Sequence, residues 1–302
     1  MTELGYALSS EEHAPGELVR NAARAEEAGF TFALISDHIH PWVDAQGHSA
    51  FVWSEIGAIA QATERLKLGT GVTCPMIRIH PAIVAHAAAT CTVLMEGRFF
   101  LGVGSGENLN EHVTGAKWPA PDERLEMLEE AVQVVRLLWK GGYRTHRGKH
   151  YIVEHTRIFD LPDEPIELAG RIGDSFVNVT PDEQLVAKFD AGGATGRNKY
   201  GQVTGCFAKT EDEARNKVAE VGPNALVEGA ASQELPYPEH FEQVAEAGDP
   251  ADLELPLGPD PEPWVEQIEA FEQAGFTHVY LHQIGRDQDA FFEFAKRELI
   301  AR

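Results

Sequence analysis

Leu34–Trp42 reads LISDHIHPW. The run it completes, TFALIS, is apolar and the length of a buried strand, and it stops abruptly at Asp37-His38. His40, Pro41 and Trp42 follow at once. A titratable pair at a strand's end, with an aromatic a few residues on, is where an α/β protein places chemistry. The fold then depends on whether other strand ends are brought to the same edge.

Toward the amino terminus, Gly29 stops a helical pattern that Pro15 opens and Leu18, Ala22, Ala25 and Ala28 carry. Leu4–Leu8 before it is a short strand candidate. Toward the carboxyl terminus, a helix over Phe51–Ala62 leads to a strand, Leu66–Gly71. Pro81 opens an alanine-rich helix over Ile83–Leu94, suited to close packing on a sheet, and Phe99–Gly104 is a fourth strand ending in glycines. Glu123–Trp139 follows with Leu125, Leu128, Val132, Val135 and Leu138 at helical spacing. Four strand–helix units in tandem predict parallel strands joined by right-handed crossovers.

The middle is less regular. Tyr143–Phe159 alternates polar and apolar residues and reads as an excursion of extended chain, an insertion over 140–165. Asp160–Pro165 then leads directly into IELAGRIGD, which reads as a helix, so one strand is expected to be absent between Pro165 and Ile166. Ser175–Val179, Tyr200–Phe207 and Thr277–His282 are further strands, with helices over Asp182–Phe189, Thr210–Val221, Pro261–Gly275 and Gln288–Ile300. A polar, turn-rich stretch over 222–258, with one helix around His240–Ala247, reads as a second insertion over one end of the fold. Seven strands at this spacing predict a single α/β domain over 1–302, a (β/α)8 TIM barrel with insertions. An open dinucleotide-binding sheet is the rival, and no GxGxxG follows the first strand to support it. Gly102-Val103-Gly104-Ser105-Gly106 comes after the fourth strand and has a different spacing.

Composition narrows the function. With 48 acidic against 25 basic residues the chain carries a formal charge of −23, which argues against a nucleic-acid or anionic-membrane surface. Three cysteines, none in a CxxC arrangement, favour a reducing compartment without a structural zinc site. No apolar run approaches the length of a membrane span and no apolar leader opens the chain, so the cytoplasm is the expected location.

In a barrel the loops after the strands share one rim. That rim would collect Asp37, His38, His40 and Trp42, then Gly71–Pro75, Gly104–Glu111, and His282 with Gln283. His38 could exchange a proton near neutral pH, or be held locally by Asp37 or the backbone. Trp42 could wall a planar ligand or pack beneath a loop. Glu107, in GSGENLNEH, could be a partner acid beside glycines that admit a ligand, or belong to a tight connection. His38 and His40 are two apart and His48 follows, but Pro41 disturbs that geometry and no metal is expected. There is no GxSxG, Walker loop or HExxH.

The segments LGYALSSEEHAP, SDHIHPW, LKLGTGVTCP, HPAIVAHAAAT, GRFFLGVGSGENLNEHVTG, FDLPDEP, LAGRIGD and HVYLHQIGRDQDAFF span almost the whole chain. Together they resemble the luciferase-like family of flavin and deazaflavin oxidoreductases. Within it they are similar to the group that uses coenzyme F420 and includes the F420-dependent glucose-6-phosphate dehydrogenases. SDHxxPW together with GxGSGExLNE carries most of the likeness.

The resemblance implies a barrel that is commonly a homodimer. Asp37 would contact the deazaflavin, a cis peptide at Gly71-Val72 would support its central ring, and Gly106, Glu107 and Asn110 would line the cofactor. His38 would take or stabilise the substrate's hydroxyl proton, Trp42 would stabilise the intermediate, and Glu107 would serve a ring nitrogen. Glu11 and His282 would face the substrate. The family's members also carry, after the LPDEP-like turn, an apolar strand ending in small residues and glycines, which this sequence is expected to lack.

A sugar phosphate demands convergent Lys or Arg groups. The strand Tyr200–Phe207 holds no lysine, and Asn224–Asp260 holds neither Arg nor Lys. Arg197, Lys199 and Arg286 are the cations left for that task. Oxidation of another alcohol, or F420-dependent reduction of an activated C=C or C=O, suits the residues equally. An FMN-dependent monooxygenase of the same fold and a non-catalytic cofactor-binding protein are the remaining alternatives.

Overall fold

The computed structural model describes residues 2–170, 173–227, 229–248 and 254–302. Its strands are β1 (Glu3–Leu8), β2 (Phe32–Ile35), β3 (Lys67–Thr70), β4 (Phe99–Val103), β5 (Arg144–Arg147), β6 (Ile152–Thr156), β7 (Leu168–Gly170), β8 (Phe176–Asn178), β9 (Lys199–Gly205) and β10 (His278–Gln283). Eight of them form one parallel sheet in the order β7-β4-β3-β2-β1-β10-β9-β8. A parallel bridge between Ala169 and Ser175 brings the two edges together, so the sheet is a nearly closed (β/α)8 barrel.

The registers explain why one rim gathers the strand ends. Leu8 pairs with Ile35, and Ile35 with Thr70, so the loops that follow β1, β2 and β3 leave the barrel at one level. Inside, large rings lie over glycines of neighbouring strands. A Cβ on Gly5 would fall 2.4 Å from the Phe32 ring, and one on Gly69 would fall 2.1 Å from the Phe100 ring. Phe100 and Tyr200 stack with centroids 5.0 Å apart, which fills the interior as a packed layer. The main core lies between sheet and helices, where Leu18, Ile56, Ile59, Val84 and Leu138 are buried at helical spacing.

One expectation is corrected. No strand is missing beyond Pro165: Leu168-Ala169-Gly170 is β7, paired with Leu101–Val103 of β4. The strand is apolar and ends in a small residue and a glycine. The link to the next strand is short, because five residues separate Gly170 from Phe176. Arg171 and Ile172, part of LAGRIGD, lie outside the described residues.

The excursion over 140–165 contains the antiparallel pair β5–β6. In the second insertion, the helix Pro238–Ala245 presses Phe241 against Trp42, with ring centroids 5.2 Å apart. Among the described residues no helix is long and apolar enough to cross a membrane.

Candidate active site

A cavity of about 1030 Å³ opens at the rim where the strands end. Glu11, His38, Trp42, Gly71, Val72, Glu107 and His282, all singled out in the sequence, line it. Asn224, Ala225 and Leu255 of the second insertion cover part of its mouth.

The loop after β2 carries His38. Its Nδ1 donates to the carbonyl of His40 at 3.3 Å and lies 3.2 Å from Glu11 Oε1. A carbonyl only accepts, so Nδ1 holds the hydrogen and Nε2 is left as the basic nitrogen. Glu11 is buried, and its Oε2 accepts from Ser36 Oγ at 2.7 Å and Ser9 Oγ at 2.9 Å. Its Oε1 has no well-formed hydrogen bond, although it is buried beside the imidazole. Trp42 tilts over His38 at 4.8 Å between ring centroids.

Three of the expected cofactor residues stand behind the cavity wall. Asp37 is buried, and Oδ2 accepts from Thr73 Oγ1 at 2.8 Å while Oδ1 accepts from Arg78 Nη2 at 2.8 Å. Its carboxylate therefore faces away from the cavity that the neighbouring His38 lines, consistent with the alternation of successive residues in extended chain. Asn110 Oδ1 accepts from the backbone N–H groups of Ile39 and His40 and so clamps the His38 loop. Gly106 packs against Cys74, with a φ of 70° that glycine tolerates. The Gly71–Val72 peptide is cis, and both residues lie on the wall.

The sequence reading missed two features. Arg78, almost fully buried, bridges Asp37 and Glu111, and its own N–H donates to Glu111 Oε2 at 2.7 Å. Burial pushes the Glu111 carboxyl up despite those contacts. Glu12, adjacent to Glu11, accepts from His282 Nε2 at 2.9 Å and from the Gly285 N–H at 2.7 Å. Burial opposes its ionisation, but the hydrogen bond and charge of His282 and the Gly285 amide win, so its pKa is lowered. For His282 burial likewise works against the charge, and Glu12 outweighs it, so its pKa is raised. The Ser-Ser-Glu-Glu run before Pro15 was the available signal: two acids where a helix start needs one.

Glu107 is half-buried, and its carboxylate has no hydrogen-bond partner among the described residues. Lys199 is paired with Asp190 at 3.0 Å, and Arg197 and Arg286 are exposed. Among the described residues that line the cavity there is no Lys or Arg.

A parallel barrel that gathers its titratable groups on the carboxyl-terminal rim has the arrangement of an enzyme. The description of the luciferase-like monooxygenases matches residues 1–278, and the chain belongs to that family. Within it the chain stands among the F420-dependent oxidoreductases. It is 32% identical to an F420-dependent glucose-6-phosphate dehydrogenase of Beutenbergia cavernae, over 100% of this chain and 97% of that protein. It is 34% identical to the enzyme of that name from Nocardia farcinica, over 99% and 97%. A solved F420-dependent secondary alcohol dehydrogenase, in complex with an F420-acetone adduct, superposes with a TM-score of 0.91 at 26% identity, covering 99% of this chain and 98% of that one.

Proposed function

We propose that this chain, an F420-dependent oxidoreductase, moves a hydride between F420 and an uncharged alcohol or its carbonyl product, and not a sugar phosphate. The observation that carries this reading is the absence of Lys and Arg among the described residues of the cavity wall, which bears four carboxylates, Glu11, Glu12, Glu107 and Glu254. A phosphate brought there would meet like charge, with no cation among the described wall residues to recognise it.

The residues fit the deazaflavin. Neighbouring side chains exclude a Cβ at Gly104, 2.5 Å from Val72 Cγ2, and at Gly71, 2.9 Å from Leu34, so bare backbone lies along that wall for a planar ring to rest on. When bound, F420 supplies the carbon that accepts or returns the hydride. His38 Nε2 takes the hydroxyl proton as the hydrogen leaves the alcohol carbon, while Glu11 beside Nδ1 favours the imidazolium that forms. Trp42 covers the imidazole and excludes water. Glu107, whose carboxylate has no hydrogen-bond partner among the described residues, holds or yields a proton on the cofactor side.

The test is a titration of the protein with F420, followed by a screen for F420 reduction. Secondary alcohols should be turned over, and glucose 6-phosphate should not. Efficient turnover of glucose 6-phosphate, or binding of FMN in place of F420, would overturn the reading.

A second copy of this chain covers the outer faces of the helices Val52–Ala62 and Pro81–Leu94. Their exposed positions, among them Ser54, Ala58, Ile83, Thr90, Val93 and Leu94, include no Asp, Glu, Lys or Arg. Two copies of a chain with charge −23 meet with least repulsion where charge is absent. Sedimentation should give a dimer and Leu94→Arg a monomer; a monomeric parent protein rejects the interface. The three cysteines are buried and unpaired, which supports a reducing cytoplasm.

A further inference from the structure

We infer that the Glu12–His282 pair is a second recognition point in the cavity, selecting an uncharged substrate that carries another oxygen besides the reacting hydroxyl. This rests on the reading of the cavity as a site for a neutral alcohol, and makes that substrate a diol, polyol or hydroxy-carbonyl compound.

The argument starts from two adjacent residues. Glu11 and Glu12 follow β1, which lies between β2 and β10 in the sheet. Both stand in the turn that follows the strand, and their side chains diverge there. Glu11 turns to the β2 side, to Ser36 and His38, and Glu12 to the β10 side, to His282 and Gly285. The cavity therefore has a Glu–His pair on each flank. The first is accounted for by the proton of the reacting hydroxyl. The second has no part in that step.

The second pair is built to present a donor. Both Glu12 oxygens are committed, one to His282 Nε2 and the other to the Gly285 amide, and the side chain is only 2% exposed. A carboxylate so held fixes the ring's orientation and favours its charged form. His13, buried close by, has its own pKa pushed down by burial, so it does not compete for the proton. The remaining ring nitrogen, Nδ1, has no partner among the described residues, and the ring lines the cavity. A protonated Nδ1 there can only donate, so its ligand must bring an acceptor.

The acceptor's charge follows from the surroundings. With four carboxylates and no Lys or Arg among the described wall residues, a second negative charge is opposed. A hydroxyl, ether or carbonyl oxygen is not. Beside His282 on the paired strand, Thr204 and Gln202 also face the cavity, joined by a 2.9 Å hydrogen bond, and they complete a polar corner. β2 and β10 are two strand spacings apart, about 10 Å between backbones. Side chains converging from both flanks leave a few bonds between the two oxygens.

The experiment compares a vicinal diol with the monohydric alcohol of the same skeleton, cyclohexanediol against cyclohexanol. The parent protein should favour the diol in kcat/KM. His282→Phe should cut the diol's kcat/KM about tenfold more than the monohydric alcohol's, mainly through KM. His282→Asn, which retains a donor, should restore part of the difference. Equal losses for both alcohols would overturn the inference and leave the alcohol reading standing. If neither alcohol is turned over, that reading fails, and the pair is judged by nitrogen NMR of the labelled His282 ring. The diol should then shift the Nδ1 resonance at concentrations where the monohydric alcohol does not. No shift, or the same shift with both, overturns the inference.

Discussion

His38 Nδ1 and Glu11 Oε1 lie 3.2 Å apart at the ends of neighbouring strands, and the second Glu11 oxygen is tied down by Ser9 and Ser36. The histidine is thus aimed by a carboxylate that cannot swing away. Replacing His38 with Ala should lower kcat about a hundred- to ten-thousand-fold. F420 affinity, followed by the cofactor's fluorescence, should change far less. A loss of turnover explained wholly by lost F420 binding would refute the proton-transfer role.

Arg78 links Asp37 to Glu111 where all three side chains are buried. Arg78→Met leaves two carboxylates without their cation and should cost about 3–5 kcal/mol. Chemical denaturation measures it. The double variant Arg78→Met/Glu111→Met should recover part of that loss, since it removes one of the stranded charges.

Glu55 is buried on the helix after β2 with neither carboxylate oxygen hydrogen-bonded among the described residues. Burial and the charge of Glu11 raise its pKa from 4.5 to about 7. A carboxyl raised on folding binds its proton more tightly in the folded state, so stability falls as pH rises from 4.5 to about 7 and is level above it. Glu55→Gln should flatten that fall and raise the melting temperature at alkaline pH. A parallel pH profile in parent and variant would contradict the assignment.

The Glu12–His282 pair gives a stability maximum between two pH limits. A carboxylate lowered on folding stabilises above its ordinary pKa of 4.5 and loses that as pH falls through its folded value. A histidine raised on folding stabilises below 6.5 and loses that as pH rises through its folded value. The melting temperature of Glu12→Gln should therefore fall furthest below the parent's between pH 4.5 and 6.5.

Much of this was legible from local sequence, because β2, β3 and β4 are apolar runs closed by turns, and proton-active residues follow β2 and β4. That His38, Trp42 and Glu107 would line the cavity could be read from position alone. β7 could not. Ile166 and Ala169 have helical spacing, and only pairing with β4, more than sixty residues earlier, makes LAG a strand. The ion pair of Asp37 was hidden for a similar reason: its partner Arg78 is 41 residues away, and no local pattern reveals a clamp of that span. Glu12 reads as a helix-start acid until β10 brings His282 to it across 270 residues.

The short link from β7 to β8 has a mechanical consequence. It leaves the barrel with a seam, joined among the described residues by an isolated Ala169–Ser175 bridge where other neighbouring strands share a ladder. Gly170 stands on one lip of that seam and Val177 and Asn178 on the other, and all three face the cavity. A molecule lying against both lips acts as a staple, because its binding free energy is added to the cost of parting them. The seam amides should then exchange hydrogen with solvent progressively more slowly as the cavity is filled, about tenfold for each 1.4 kcal/mol of binding. The barrel would be made whole by what it binds.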